Sequence, residues 1–246
     1  MENGIVIRKL SKKYEDQIAL ENINLSIPQN CVYGILGRNG AGKTTLLECL
    51  VGLRDFQEGS INFENKGKSY ELNEMKQKIG VQPQNYALFN RQSVLETLTL
   101  FSSFYSTPAN ISDLIVMLEL DEIKGKQIKS LSAGQKQRVV IAIALVGNPD
   151  IVILDEPTTG IDIQVRELIW DIIKNLQKKG KTIIFTTHYM EEAEELCDQV
   201  AILNQSQIKY IGSPNALITA HATDDKKTLG SAFMNLTGKE LRRGID

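Results

Sequence analysis

The sequence predicts an α/β protein built on a parallel β-sheet, with an N-terminal antiparallel β subdomain and an inserted helical subdomain. Residues 32–36 and 151–154 are short, continuous apolar runs, which is typical of parallel strands buried on both faces. Residues 4–10 and 19–27 instead show an apolar alternation, which indicates antiparallel strands with one buried face. From residue 93 the apolar spacing becomes helical, and this change of period marks the insertion.

Helix-start signals support this division of the chain. Ser93 and Glu96 have the spacing of a capping box, and a second apolar helix is predicted from about Ile111. We therefore predict one domain that consists of a core and an inserted helical part. The predicted boundaries are 1–88 and 146–246 for the core, 89–145 for the helical subdomain, and 1–246 for the single domain.

Composition excludes several classes of protein. The chain has 246 residues, of which 42% are hydrophobic and 24% charged, as in ordinary globular proteins that bury a core. The net charge of −2 gives no basic footprint, so nucleic acid is not an expected partner. The 3 cysteines lack Cys-x-x-Cys spacing, which favours single buried thiols in a reducing compartment.

Targeting signals are not evident in the sequence. Residues 1–4 lack the charged-then-apolar pattern of a signal peptide. The longest apolar run, residues 139–146, falls far short of the roughly 18 residues that span a bilayer. We therefore expect a cytoplasmic chain whose role at a membrane, if it has one, depends on a partner.

A glycine-rich loop between the first apolar strand and the helix after it predicts a nucleotide site. Its sequence matches G-x-x-x-x-G-K-[ST], in the strand–loop–helix context that a phosphate-binding loop requires. The backbone N–H groups and the helix N-terminus would surround the phosphates, Lys43 would reach the β- and γ-phosphates, and Thr44 would hold Mg²⁺. A glycine-rich turn with a chance lysine is the simpler alternative. The predicted nucleotide-binding residues are Gly37, Arg38, Asn39, Gly40, Ala41, Gly42, Lys43, Thr44 and Thr45.

Two carboxylates end the second buried strand. Asp155 and Glu156 follow four apolar residues, which places them at the C-terminal tip of a parallel strand. Asp155 is suited to hold Mg²⁺, directly or through water, and Glu156 to orient and polarise an attacking water. Two acids at a strand end could also be merely solvated, but a phosphate loop elsewhere in the chain favours the catalytic interpretation.

Two further side chains are candidates for the same site. His188 follows the apolar strand 182–187, at the edge where open α/β sheets bind ligands, which favours contact with the γ-phosphate. A lone histidine is also commonly structural. Tyr14 lies in a polar stretch, residues 12–16, predicted to be a loop. Its ring could stack on the base, a contact worth about 1–3 kcal/mol in comparable pairs, or could only cover a small cluster.

The segment Leu-Ser-Ala-Gly-Gln at 131–135 identifies a family. Ser132 can cap the helix that follows, and Gly134 lets the backbone approach a docked group. Helix capping alone would explain most segments of this kind. Because the chain also has a phosphate-binding loop, we compare residues 131–135 with a known motif: they resemble the LSGGQ signature of the ATP-binding-cassette (ABC) transporters. Ala133 stands where the signature has its first glycine. The likeness to an ABC ATP-binding subunit extends over nearly the whole chain.

This resemblance implies further roles. Tyr14 would be the adenine-stacking aromatic and Gln84 the Q-loop glutamine, for which Gln82 is a nearby rival. Asp155 and Glu156 would form the Walker B pair, and Asp162 would belong to the D-loop at 160–162. The implied catalytic residues are Lys43, Gln84, Glu156 and His188, and the implied Mg²⁺ ligands are Thr44, Gln84 and Asp155. Asn30 stands where relatives commonly have glycine, and it tolerates the same left-handed turn.

The resemblance also implies an assembly. Two subunits, identical or different, would form a head-to-tail dimer around ATP and Mg²⁺. In it, the signature helix of one chain, with Ser132 and Gly134, would contact the ATP held by the other; Gln135 and Asp162 are further implied nucleotide-binding residues. The membrane partner would be a permease on a separate chain, with this subunit on the inner face of the cell membrane.

Two segments resemble the drug- and antibiotic-export branch of the family. These are residues 187–198, which begin at Thr187-His188-Tyr189, and residues 233–241. We therefore expect export of a drug, an antimicrobial peptide or a lipid-like substrate. An importer ATPase is the main alternative, and an ABC ATPase acting on DNA or the ribosome is a second; the sequence does not name the substrate.

Overall fold

The computed structural model describes residues 4–65, 67–222 and 227–238, which form two β-sheets and the helices that cover them. The strands are β1 (Gly4–Tyr14), β2 (Gln17–Pro28), β3 (Val32–Leu36), β4 (Glu58–Asn65), β5 (Lys68–Tyr70), β6 (Ile79–Gln82), β7 (Ile151–Asp155), β8 (Thr182–Thr187), β9 (Gln199–Asn204) and β10 (Gln207–Gly212). The α-helices are α1 (Lys43–Leu50), α2 (Leu72–Met75), α3 (Val94–Ser102), α4 (Ile111–Met117), α5 (Ala133–Leu145), α6 (Ile163–Lys178), α7 (Met190–Leu196), α8 (Pro214–His221) and α9 (Leu229–Thr237).

The larger sheet has the strand order β10-β9-β3-β8-β7-β6. The strands from β9 to β6 run parallel, as predicted for this sheet. Strand β9 itself was not predicted, and neither was β10, which pairs antiparallel with it. All residues of β3, β7 and β8 are buried, which explains their continuous apolar runs. Because parallel strands end at one edge, the C-terminal tips of these three neighbours lie together.

The smaller sheet is antiparallel, with the order β2-β1-β4-β5. The alternating apolar residues of β1 and β2, such as Ile5, Ile7 and Leu20, pack between the two sheets. One prediction here was wrong. Lys12–Tyr14 was assigned to a loop, but these residues extend β1, and the turn consists only of Glu15 and Asp16. Cross-strand pairing with β2 continues up to Tyr14. This pairing stabilises a strand although the polar composition of the segment is typical of a loop.

The middle of the chain is helical, as predicted. Helices α3 and α4 begin at the predicted positions, with Ser93 and Glu96 forming the capping box of α3. Helix α5 joins this region to the core, because its residues share one apolar cluster with Val94 and Leu98 of α3 and with Val152 of β7. The exact boundaries of the helical subdomain stay a prediction.

The C-terminal helices pack on the edge of the larger sheet. Helices α7, α8 and α9 bury Ala193, Leu217 and Phe233 against Val200 and Ile202 of β9. The segment 233–241 that resembles the export branch is only partly visible, since residues 239–241 lie outside the described residues.

Candidate nucleotide-binding site

The phosphate loop connects β3 to α1 at the C-terminal edge of the larger sheet. Helix α1 begins at Lys43, directly after Gly42, whose φ of 107° is in the left-handed region that favours glycine. A Cβ at Gly42 would also lie 2.4 Å from the carbonyl oxygen of Ala19 on β2. The tight packing of the loop on β2 therefore requires glycine at this position.

Lys43 is held inside the loop. Its Nζ donates hydrogen bonds to the carbonyl oxygens of Gly37 at 2.9 Å and Arg38 at 3.3 Å. The same Nζ lies 3.2 Å from Oε1 of Glu156, and both side chains are almost fully buried. The loop and the tip of β7 are thus already in contact, and the ammonium group faces the carboxylate that the sequence singled out.

The tips of β7 and β8 are joined by Thr186. Its hydroxyl donates to Asp155, while the backbone N–H of Glu156 donates to the Thr186 hydroxyl oxygen at 2.9 Å. Burial raises the pKa of the Asp155 carboxyl, and hydrogen bonds from the hydroxyls of Thr186 and Thr44 oppose that rise only in part. Asp155 therefore lies in a desolvated place beside the magnesium candidate Thr44.

Three predicted catalytic side chains lie next to Glu156: Lys43, described above, and His188 and Gln84. His188 Nδ1 lies 3.4 Å from Oε2 of Glu156, and Gln84 Nε2 lies 3.4 Å from the same oxygen. Glu156 itself has φ 48°, a left-handed conformation that is uncommon outside glycine and clusters at functional sites. Gln82, the rival of Gln84, is buried and donates instead to the carbonyl oxygens of Pro83 and Asp155.

A cavity of about 320 Å³ opens beside these groups. Tyr14, at the end of β1, forms part of its wall with 37% of its surface exposed, in reach of a base bound next to the phosphate loop. Gln17 and Ala19 of β2 were not predicted as site residues. No motif marks them, because only the pairing of β1 with β2 brings them there. The cavity is lined by Tyr14, Gln17, Ala19, Asn39, Gly40, Gly42, Lys43, Thr44, Thr45, Gln84 and Glu156.

The signature residues are placed elsewhere and do not line this cavity. The Ser132 hydroxyl accepts a hydrogen bond from the N–H of Gln135, and the Gln135 side chain accepts one from the N–H of Ser132. These bonds form the capping box of α5. Gly134 is buried, and a Cβ there would lie 3.0 Å from Val165 of α6. Asp162 caps α6 by accepting from the N–H of Val165.

Among the described residues, the fit to Mg²⁺ is good. Mg²⁺ prefers oxygen ligands and is usually bound through one or two protein groups together with substrate phosphates. Thr44, Gln84 and Asp155 carry side-chain oxygens and line one small cavity beside the phosphate loop. A bound Mg²⁺ would supply charge neutralisation at the β- and γ-phosphates.

Comparisons with known proteins identify the family. A family model described as ABC transporter matches residues 20–159. The Nod factor export ATP-binding protein I of Burkholderia orbicola is 38% identical over 219 residues, which cover 87% of this chain and 72% of that protein.

Solved structures agree as well. A structure of an ATP binding subunit of an ABC transporter superposes with a TM-score of 0.83 over 96% of this chain and 100% of that one, and at 23% identity it shows the fold. A bacterial ABC transporter cassette, solved as a dimer, has a TM-score of 0.76 and 28% identity over 85% of this chain and 98% of that one. The same cassette was also solved bound to ADP and Pi. The chain therefore belongs to the ABC transporter family, as an ATP-binding subunit with ATPase activity.

Proposed function

We propose that this ATPase drives export through a permease carried on a separate chain, and that it does so by closing a dimer around two ATP molecules. The observation that carries the hydrolytic half of the proposal is the meeting of Lys43, Gln84 and His188 at Glu156. These are the groups that phosphoryl transfer needs. Lys43 is a cation for the phosphates, Glu156 accepts a hydrogen bond from the attacking water, and the polar side chains of Gln84 and His188 orient the phosphate and the water.

Each side chain has a defined role in this proposal. Glu156 orients the attacking water, and ATP draws Lys43 away from Glu156 because the γ-phosphate offers the ammonium a second anion. His188 and Gln84, both within 3.4 Å of Glu156, contact the γ-phosphate and the water once ATP is bound. Tyr14 stacks on adenine, while Thr44, Asp155 and Gln84 hold Mg²⁺.

The position of the signature supports the dimer. Within one chain, Ser132, Gly134 and Gln135 lie outside the cavity that the phosphate loop lines. A second chain, identical or different, would bring its signature over the γ-phosphate and complete the site. The dimeric cassette among the related structures supports this arrangement.

The direction of transport is proposed from the relatives. The curated relatives are named for Nod factor export, at 34–38% identity. Among the described residues, none of the helices combines the length and hydrophobicity that a membrane span requires. We place the subunit in the cytoplasm, docked on the inner face of the membrane through its permease.

A comparison of what cells retain and release tests the direction without knowledge of the substrate. Cells that carry Glu156→Gln in place of the native chain should accumulate a compound that wild-type cells release into the medium. Restoring the native sequence should restore the release. If the compound instead stays in the medium of the variant and wild-type cells take it up, the subunit serves an importer. Unchanged contents and medium would contradict any transport role.

A further inference from the structure

A second buried carboxylate lies behind the catalytic groups. Glu192 is in the first turn of α7, four residues after His188, and only 1% of it is exposed. In the described part of the chain its two oxygens accept hydrogen bonds from hydroxyls alone, Oε1 from Thr158 and Oε2 from Thr187 at 2.6 Å. Burying a carboxylate without a cation is costly, so its position requires an explanation beyond packing.

The two hydroxyls belong to the segments that carry the catalytic side chains. Thr158 comes two residues after Glu156, and Thr187 directly precedes His188. The Thr187 hydroxyl also accepts a hydrogen bond from the N–H of Tyr189 at 3.0 Å. A single carboxylate therefore fixes the backbone on both sides of His188 and ties it to the turn that follows Glu156.

The hydrogen bonds through Thr187 and Glu192 connect the same two strand tips as the hydrogen bonds of Thr186 do. Successive side chains of a strand point to opposite faces, so Thr186 and Thr187 leave β8 on different sides. Thr186 joins the tip of β8 to Asp155 and Glu156. Thr187 joins it, through Glu192, to Thr158. The tips of β7 and β8 are thus clamped on both faces, and the distance between His188 and Glu156 is set by both clamps.

We propose that Glu192 is a positioning residue for ATP hydrolysis, which holds His188 in its place opposite Glu156 through Thr187 and Thr158. This inference rests on the proposed function, in which His188 acts at the γ-phosphate. Glu192 does not line the nucleotide cavity, so its loss should affect the rate of the chemical step and leave ATP binding intact.

The test is a double-mutant cycle on the purified chain, with kcat and KM for ATP measured at saturating Mg²⁺. Glu192→Ala should lower kcat by about 10- to 100-fold, the scale of a small misplacement of a catalytic group, and change KM less than about twofold. In the His188→Ala background the same substitution should lower kcat less than about threefold, because the group that it positions is gone.

The outcomes separate this inference from the proposed function. An equal loss of kcat from Glu192→Ala in both backgrounds would overturn the positioning role and leave that of His188 intact. A normal kcat in His188→Ala alone would overturn the role of His188 in the proposed function. A matched control is Glu191→Gln, which changes the neighbouring, exposed carboxylate of α7 and should leave kcat unchanged.

Threonine variants keep the test valid if Glu192→Ala fails to fold. Thr187→Val removes the hydroxyl without loss of volume and should reproduce the loss of kcat. Thr187→Ser keeps the hydroxyl and should restore most of it. Thr158→Val should break the link from the other side with the same effect. If Thr187→Val and Thr187→Ser have equal kcat, the hydrogen bond to Glu192 has no catalytic consequence and the inference is wrong.

Discussion

The phosphate-loop site and the signature segment are both predicted to contact ATP, yet their polar groups are arranged in opposite ways. At the phosphate loop, Lys43 and Glu156 form an ion pair in the wall of an open cavity, and burial raises the pKa of Asp155. At the signature, Ser132 and Gln135 satisfy each other's backbone N–H groups, and Gly134 is packed on α6.

This difference distinguishes the two halves of the proposed composite site. The phosphate-loop side holds a buried ion pair between Lys43 and Glu156 and an uncommon backbone conformation at Glu156, features that are costly in themselves and cluster at functional sites. The signature side is a complete helix start that needs no ligand for its stability. We therefore expect substitutions on the first side to act on ATP binding or on catalysis directly, and those on the second to lower hydrolysis only through the proposed dimer.

The largest expected effect is that of Glu156→Gln. The substitution keeps the shape of the side chain and removes its charge, so kcat should fall a hundredfold or more, the usual scale for loss of a catalytic base. ATP should still bind, and because it is no longer consumed it should trap a dimer. Size-exclusion chromatography with ATP and Mg²⁺, alongside an ATPase assay, measures both. Fast hydrolysis without a dimer would refute the role of Glu156.

Gly134→Asp should come next. A side chain at Gly134 would meet Val165 of α6, so the added carboxylate should disturb the start of α5 and bring a negative charge to the face that the proposed dimer turns toward the partner's γ-phosphate. We expect a loss of hydrolysis of about 100-fold, comparable to loss of a transition-state donor. Affinity of the monomer for ATP should remain near normal, because Lys43 and its loop are unchanged. The matched control is Gly134→Ala, which adds only the Cβ that meets Val165 at 3.0 Å and separates packing from charge.

A mixture sharpens this second test. Neither Gly134→Asp nor Lys43→Ala should hydrolyse ATP alone, but a mixed dimer has one site with both defects and one with neither. Partial ATPase activity should therefore return on mixing, provided that one intact site suffices. If Gly134→Asp instead loses ATP affinity as a monomer, Gly134 belongs to the same site as Lys43, and the proposed dimer has to be abandoned.

Tyr14→Ala should have an intermediate effect. Loss of base stacking should weaken ATP binding by about 1–3 kcal/mol, whereas Tyr14→Trp should bind nearly normally. Both variants should fold, because Tyr14 lies at a hairpin end with more than a third of its surface exposed. Titration with ATP measures the affinities. Equal ATP affinity in the wild type and in Tyr14→Ala would mean that Tyr14 only covers a small cluster and does not stack on the base.

The smallest expected effect is the loss of stability when a helix cap is removed. Two caps of the same construction, at Ser93 and Ser132, can be compared. Ser93 and Ser132 both accept from the N3 backbone in capping boxes, so each substitution to alanine should cost about 1 kcal/mol of unfolding free energy. Denaturant titration should show similar losses. Only Ser132→Ala should also lower ATPase activity, because only that cap faces the partner's ATP in the proposed dimer. Equal activities in the two variants would argue against the signature role.

Local sequence determined a large part of this protein. The buried strands could be predicted because a strand covered on both faces is apolar along its length, as Val32–Leu36 and residues 151–154 are. The capping box at Ser93 and the left-handed turn at Asn30, with φ 58°, follow from residue types that favour them locally. The glycines, lysine and threonine of the phosphate loop likewise act through a backbone shape that a short segment encodes.

Only the tertiary structure decided which distant residues meet. Gln17 and Ala19 reach the nucleotide cavity because β2 pairs with β1, and the extension of β1 through Lys12–Tyr14 depends on that same pairing. Thr158, Thr187 and Glu192 carry no motif, and they form one network because β7 and β8 are neighbours in the sheet and α7 returns onto their tips. Such contacts join residues up to 34 positions apart, and no local pattern encodes them because they form only when the sheet assembles.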